Sequence, residues 1–307
     1  MRDHANAPIV GINWGSTNFR AFLIDADGQV LDKVEQPRGI AGLDRAQMQL
    51  MVEELASRWP QAGQVYACGM VGSNIGWSDA GYLECPATPA GLARQLHHVQ
   101  IGSVAVAIVP GLACRRAADG APDIMRGEET ELLGLMATGS VPADGLVVLP
   151  GTHSKWVRLQ EGAVLEFLTA MSGEIFDRLT AAGLLASVVD GPAVQGEVFD
   201  GGVRAGHAGM GLGSQLFGAR ARVIRGNLPR SDGASWLRGL LIGAELADAQ
   251  ALWPQVVGEP LTVVGAAPVC ELYARALSVL GGQGKPSPSQ GAVVRGFLAL
   301  HQAAVLP

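Results

Sequence analysis

The sequence predicts a mixed α/β protein built as two similar units, and three observations carry that expectation. Strand-like and helical stretches run as strands, helix, strand, helix, and the same order then begins again. Each half opens on two apolar runs joined through glycine followed by serine or threonine, "NWGSTNFR" at 13–20 and "LPGTHSKWV" at 149–157. With 307 residues, 48% of them hydrophobic and 16% charged, the chain has the apolar content for two domains or one large one.

In chain order, strand-like runs fall at 9–13, 19–24, 29–35, 64–68, 103–109, 145–149, 154–159, 163–168 and 261–264, several bounded by Gly, Asp or Pro. "DADG" at 25–28 joins two of them and reads as a hairpin turn. Helical periodicity covers 44–58, 127–138, 174–186, 213–225, 234–250, 267–280 and 290–303. Within the fifth of these, Trp236, Leu240, Leu241 and Leu246 fall near one face. "PADG", Pro142 to Gly145, is the candidate boundary between domains 1–142 and 143–307, with the last helix free to pack back on the first. "GGQGKPSPSQG" at 281–291 reads as a surface loop.

Charge and composition exclude several function classes. Net charge is −6 and the densest basic spot is "CRRAADG", so the basic stripe a nucleic-acid partner needs is missing. Small anionic substrates stay open, because a few local cations suffice for them. Every apolar run is interrupted before the ~20 residues of a membrane helix. The opening "MRDHANAPIV" carries Asp3 and lacks the apolar core of a secretory signal, so the expected compartment is the cytoplasm. Cys68, Cys85, Cys114 and Cys270 form no C-x-x-C pair and the six histidines supply no metal spacing, which points to reduced thiols and no structural zinc. A homodimer is compatible with the sequence, which does not specify the oligomeric state.

Two familiar phosphate cradles are absent. In "GGQGKPS" the lysine is followed by Pro286 and Val279 stands where a P-loop needs its first glycine, while "GMGLGSQ" runs G-x-G-x-G and fails the dinucleotide pattern. The two related turns remain. Gly15 and Gly151 would let backbone N–H groups approach an oxyanion closely. Ser16, Thr17, Thr152 and Ser154 would add hydroxyls, with Arg20 and Lys155 as nearby cations. The plainer alternative is a pair of ordinary hairpin turns with a solvated lysine. Between them, "PDIMRGEETELLGL" at 122–135 places Glu128, Glu129 and Glu131 at the head of an apolar helix. Helix-dipole capping accounts for some of these acids. Arg126 and Gly127 immediately before them suggest more, an anion anchor beside a general base.

Taken together, "NWGSTNFRAFLID", "GMVGSNIGW", "PGL", "MRGEETELLG", "PGTHSKWV", "MSGEIF" and "GLLIGAE" resemble the 2-dehydro-3-deoxygalactonokinase family, within the superfamily of sugar kinases, actin and heat-shock chaperones. The resemblance implies two ribonuclease-H-like (actin-like ATPase) domains around an interdomain ATP cleft. It implies a first phosphate loop from Asn13 to Asn18 in the sugar-acid-binding domain, with Gly15, Ser16, Thr17 and Asn18 at the phosphates. The second loop, in the nucleotide-binding domain, would be Gly151, Thr152, His153, Ser154 and Lys155, His153 serving as a ligand contact or a structural hydrogen bond. Gly265, Ala266 and Ala267 would face the base or ribose of ATP. Arg20, Gly72, Ser73 and Asn74 would meet the sugar acid, with Trp77 either walling that pocket or packing. His97 and His98 lie outside the matched stretches and read as surface residues.

The implied reaction is ATP- and Mg²⁺-dependent phosphorylation of the terminal, carbon-six hydroxyl of 2-dehydro-3-deoxy-D-galactonate in galactonate breakdown. Glu128 is the expected base, Glu129 its reserve, and Arg126 the holder of the substrate carboxylate or a phosphate. Asn13 stands where the superfamily keeps an aspartate that holds Mg²⁺ through water. It either touches such a water through its amide oxygen or caps the strand end. The rival readings are a kinase for the gluconate epimer, a nucleotide or polyphosphate phosphohydrolase, and a non-catalytic ATP-binding module of the same fold.

Overall fold

The computed structural model describes residues 7–305, so most of the "MRDHANAPIV" stretch lies outside the described residues. The first sheet opens on an antiparallel meander, β1 (Ile9–Trp14), β2 (Phe19–Ile24) and β3 (Val30–Gln36). Asp25 closes the β2–β3 turn, its carboxylate accepting from the amides of Asp27 and Gln29. Helix α1 (Arg45–Arg58) begins at a capping box in which Asp44 and Gln47 satisfy each other's amides. It delivers the chain to β4 (Gln64–Gly69), parallel to β1. Next come β5 (Tyr82–Glu84), α2 (Pro89–Arg94) and the hairpin β6 (His97–Ile101) with β7 (Val104–Ile108). A second hairpin, β8 (Gly111–Arg115) with β9 (Pro122–Met125), joins β5 in a small sheet of its own. Helix α3 (Glu128–Ala137) leads out of this half.

The second sheet repeats the plan with β10 (Gly145–Leu149), β11 (Ser154–Gln160) and β12 (Ala163–Ala170). A helical layer follows: α4 (Ser172–Ala181), α5 (Glu197–His207), α6 (Leu212–Ile224), α7 (Gly233–Leu252) and α8 (Gln255–Gly258). Then β13 (Pro260–Val264) lies parallel to β10, α9 (Ala267–Val279) crosses over, and β14 (Gln283–Ser287) lies parallel to β13. The chain closes on α10 (Ala292–Val305).

The sheets are ordered β3-β2-β1-β4-β7-β6 and β12-β11-β10-β13-β14. In each, a meander is extended from its first strand by two parallel strands, the ribonuclease-H-like order, present twice as the resemblance implies, with β6 added antiparallel at the edge of the first sheet. The period-two alternation of β1 divides its side chains between two layers. Ile12 and Trp14 pack with Met48, Val52 and Leu55 of α1. On the other face a Cβ at Gly11 would sit 2.2 Å from the Phe297 ring, so only glycine admits α10 there. Helices α3 and α10 meet at equally close range, since a Cβ on Gly134 would reach the Ala292 carbonyl and one on Gly296 the Thr130 carbonyl. One buried cluster runs through both sheets, from Ile9, Phe22 and Phe297 to Val147, Val157 and Phe167.

Besides strands β5, β6, β8 and β9 and the short helices α2 and α8, which the sequence reading did not mark, two stretches differ from it. Residues 283–287, read as part of a surface loop, form the edge strand β14; Pro286 is tolerated there because its missing N–H falls on the unpaired side. Residues 197–207 form a helix whose Gly202 and Gly206 let its backbone approach α7 at Trp236 and Leu240, and those same glycines hide the helical signal. His97 lies on β6, half-buried and 2.8 Å from the Ser78 hydroxyl, while His98 is exposed. Among the described residues, no helix is long and apolar enough to cross a membrane, and no group of three His, Cys, Asp or Glu side chains could hold a metal ion.

Candidate active site

The β1–β2 turn is shaped from behind. Gly39, Ile40 and Ala41 lie across it and donate their amides to the carbonyls of Thr17, Gly15 and Ser16, at 3.0, 3.0 and 3.1 Å. A Cβ on Gly39 would fall 2.2 Å from Ser16 and Thr17 backbone atoms, so the contact requires glycine. In a trans peptide the N–H points opposite to the C=O. Three carbonyls turned back therefore aim the amides of Ser16, Thr17 and Asn18 forward, a concave row suited to an oxyanion. The side chains of Ser16, Thr17 and Asn18 are exposed on the turn, Asn18 Nδ2 donating to Thr17 Oγ1 at 3.1 Å.

The β10–β11 loop is held differently. At the start of β11 the alternation sends Ser154 and Lys155 to opposite sides. Ser154 is fully buried with its hydroxyl 2.8 Å from Tyr273 Oη, so it faces the interior rather than a ligand; this corrects the expectation that it meets phosphate. The Lys155 ammonium is not solvated: its side chain is 5% exposed and Nζ lies 3.6 Å from Glu128 Oε1 on α3. His153 Nε2 is 2.7 Å from Glu174 Oε2, and the imidazole, with Arg178, holds the Glu174 carboxyl below the usual range. Gly173 presses against the loop, where a Cβ would lie 2.1 Å from the Gly151 carbonyl, and Glu174 N donates to Thr152 O at 2.9 Å. Gly265, at φ +154°, stands beside Pro150, with Ala266 and Ala267 exposed at the start of α9.

Between these loops stands the head of α3. Gly127, at φ +108°, opens the helix, and Glu128 Oε2 accepts from Arg126 N at 3.2 Å. Glu129 is 1% exposed; its oxygens accept from Gly127 N at 2.5 Å and Thr130 Oγ1 at 3.1 Å. Burial first, and then the Glu128 charge, push its carboxyl up to about 7. Glu131 is also raised by burial, opposed by a Ser289 hydrogen bond and the Arg20 charge. Arg20 and Glu131 line a groove of about 570 Å³ that reaches Asn13 and Ser289. Asn13 lies at the strand end under the helix head: its Oδ1 is 3.7 Å from where a Gly69 Cβ would be, and a Gly127 Cβ would be 3.4 Å from Gly69 Cα.

Arg126 is a buried cation whose hydrogen bonds are only partly made. Its side chain is 6% exposed, Nη2 donates to Gly81 O at 3.0 Å and lies 3.7 Å from Asp79, and the guanidinium stacks 4.4 Å over the Tyr82 ring. Nε and Nη1, both buried, have no partner among the described residues. Gly72 borders this fork, since its Cβ would come 3.2 Å from Nη1. Nε–H and Nη1 face different edges of the guanidinium, so they call for two separate oxygen acceptors, and the buried positive charge favours an anionic one.

The fold thus brings Arg126, Gly72, Glu128 and Lys155 together, with Asn13 close beneath. Ser73 is buried and donates its hydroxyl to Met70 O at 2.7 Å. Asn74 is exposed, and Trp77 packs with the α1-side core under the guanidinium of Arg45, 4.3 Å away. Asp79 and Tyr82, which flank Arg126, and Gly39 and Gly173, which seat the loops, escaped the sequence reading. Only Gly173 carried a signal, in "MSGEIF".

A family model described as 2-keto-3-deoxy-galactonokinase matches residues 13–300. The 2-dehydro-3-deoxygalactonokinase of Escherichia coli (strain K12) is 35% identical over 242 residues, 78% of this chain and 80% of its own length. A Rhizobium meliloti (strain 1021) protein assigned the same activity is 33% identical over 298 residues, 95% of this chain and 96% of its own. A crystal structure assigned to a 2-dehydro-3-deoxygalactonokinase from Sinorhizobium meliloti superposes with a TM-score of 0.87 at 32% identity, covering 97% of this chain and 100% of the other. With the motifs, the doubled sheet and these relatives in agreement, the chain belongs to the 2-keto-3-deoxy-galactonokinase family and is a sugar kinase, a phosphotransferase.

Proposed function

We propose that this kinase transfers the γ-phosphoryl group of ATP to the carbon-six hydroxyl of 2-dehydro-3-deoxy-D-galactonate, in the cytoplasm, as a step of galactonate catabolism. The observation that carries the choice of a sugar acid is Arg126, a buried guanidinium with Nε and Nη1 unpartnered beside the helix that bears Glu128. A neutral hexose would bring no counter-charge to that buried guanidinium, whereas a sugar acid brings a carboxylate to one of its free donors.

Arg126 holds the acid end of the substrate and directs the far hydroxyl toward Glu128. Glu128 accepts the hydroxyl proton as the oxygen bonds to the γ-phosphorus and the bond to the β-phosphate oxygen breaks, leaving ADP. Glu129, 1% exposed and with both oxygens engaged, fixes the Gly127 turn rather than serving as the base. Lys155 exchanges Glu128 for phosphate oxygen, and the forward amides of Ser16 to Asn18 meet the phosphates from the other side. Gly265 to Ala267 border the nucleoside. Asn13 would offer an amide oxygen to a metal-bound water, which suits Mg²⁺, an ion that keeps several waters and takes much of its coordination from phosphate. When bound, Mg²⁺ screens phosphate charge.

A coupled assay of ADP release over an acceptor panel tests the proposal. The 2-dehydro-3-deoxygalactonate should react fastest, its gluconate epimer more slowly, and plain hexoses not at all. A panel in which hexoses react and 2-keto-3-deoxy acids do not would sink it. ADP release without acceptor would indicate a phosphohydrolase, and nucleotide binding without turnover a binding module.

A further inference from the structure

Behind the second loop lies a buried polar cluster that the chemistry above leaves unused. Glu245, on α7 and 3% exposed, accepts from Trp156 Nε1 at 2.6 Å, from the Ser172 hydroxyl, and from Tyr273 Oη at 3.0 and 2.9 Å to its two oxygens. Tyr273, on α9 and fully buried, also lies 2.8 Å from Ser154 Oγ and 3.2 Å from Ser172 Oγ. One carboxylate therefore ties β11, α4, α7 and α9 together. Removing a carboxylate from water is costly, and packed apolar side chains often serve stability as well or better. What distinguishes this cluster is where its arms lead. One runs through Tyr273 to Ser154, the neighbour of Lys155 in the chain. The other runs through Ser172 to Gly173 and Glu174, which press on the carbonyls of Gly151 and Thr152.

We infer that Glu245 is a positioning residue for the nucleotide, holding both ends of the Gly151–Lys155 loop through Tyr273 and Ser172. The inference rests on the reading of that loop as a phosphate loop. Strand alternation turns the buried hydroxyl of Ser154 into an anchor for Lys155: fixing one side chain inside fixes the direction in which the next emerges. Glu245 and Tyr273 are both buried and act through the loop rather than on the nucleotide itself.

The test uses the full chain and three variants, with MgATP binding measured by calorimetry and steady-state kinetics with ATP varied. Tyr273→Phe removes the link to Ser154 while Trp156 and Ser172 still reach Glu245. It should raise Kd and KM for ATP about tenfold, with kcat and the KM for sugar acid within about twofold. Glu245→Leu should raise Kd for ATP further, and Glu245→Gln, which keeps an oxygen acceptor of the same size, should recover part of the loss. Melting curves recorded in parallel separate the alternatives, because a merely structural cluster lowers the melting temperature and leaves the ATP constants unchanged. A wild-type protein that binds MgATP beside a Tyr273→Phe variant that binds it equally well would overturn the inference. A wild-type protein that binds no MgATP would instead overturn the phosphate-loop reading beneath it.

Discussion

The two loops at the cleft occupy equivalent places, each between the first two strands of its sheet, yet they are built in opposite ways. The first is a backbone device: main-chain amides of Gly39 to Ala41 turn its carbonyls away, and its side chains stay exposed. The second is a side-chain device, with Lys155 and Ser154 buried and a hydrogen-bonded cluster behind them. The first is backed by a short segment with only its backbone to offer, whereas the second is backed by α4, α7 and α9, which bring Ser172, Glu245 and Tyr273. Equivalent topology therefore fixes where a loop stands, while the layer behind it decides whether the loop presents amides or charge.

The sharpest probe is Glu128, which only the second loop touches. Glu128→Gln should lower kcat by about 10²–10⁴-fold while the KM for ATP changes little. An unchanged kcat would reduce the carboxylate to a counter-ion for Lys155. Next, Lys155→Met should lower kcat/KM for ATP by about 10²-fold, whereas Thr17→Val on the first turn should cost less than about tenfold. Equal losses would break the contrast between the loops.

The third probe concerns the helix head that faces both. Burial lifts the Glu129 carboxyl from 4.5 to about 7 in the folded protein, so the native state keeps a proton that the unfolded chain has released across that window. Stability should therefore fall as pH rises from about 4.5 to about 7. Glu129→Gln should remove that slope, gaining about 2–3 kcal/mol at pH 8 and little at pH 4.5. Denaturant titrations at the two pH values decide it; parallel curves for the two proteins would refute the assignment. The smallest effect is expected at Asn13, next to the first turn. Asn13→Asp should lower the Mg²⁺ concentration for half-maximal rate a few-fold, with sugar-acid affinity preserved, since a carboxylate binds hydrated Mg²⁺ better than an amide. Superimposable Mg²⁺ titrations would place Asn13 outside the metal's reach.

The meanders and the long helices were legible because alternation and 3.6-residue periodicity are local properties. Strand β14 was not, since "QGKPS" holds the residues that strands disfavour and depends on β13 and α9 for its place. In the site, "MRGEE" disclosed Arg126 and Glu128 through an unusual neighbourhood of charges. Ser154 was misjudged because the loop was read as one exposed turn, although β11 already begins there and sends its hydroxyl inward. Glu245 left a trace, a lone acid inside "GLLIGAEL", but its partners come from sequence positions as distant as Trp156 and Tyr273. Such a cluster exists only once the chain has folded.

Helix α10 bears on how the protein is made. Its Phe297 sits over Gly11, and its Gly296 lies against Thr130, so a helix synthesised after both sheets covers a strand made before either was complete. While the ribosome is still translating the second half, one face of that early sheet lacks the part of its cover that α10 supplies. Ile9 and Phe22 must wait for Phe297 and Leu300 to emerge. The first half on its own therefore exposes apolar surface that the complete chain buries. Translation that stops before Ala292 should yield an aggregating product even though the β1–β2 and β10–β11 loops would both be complete.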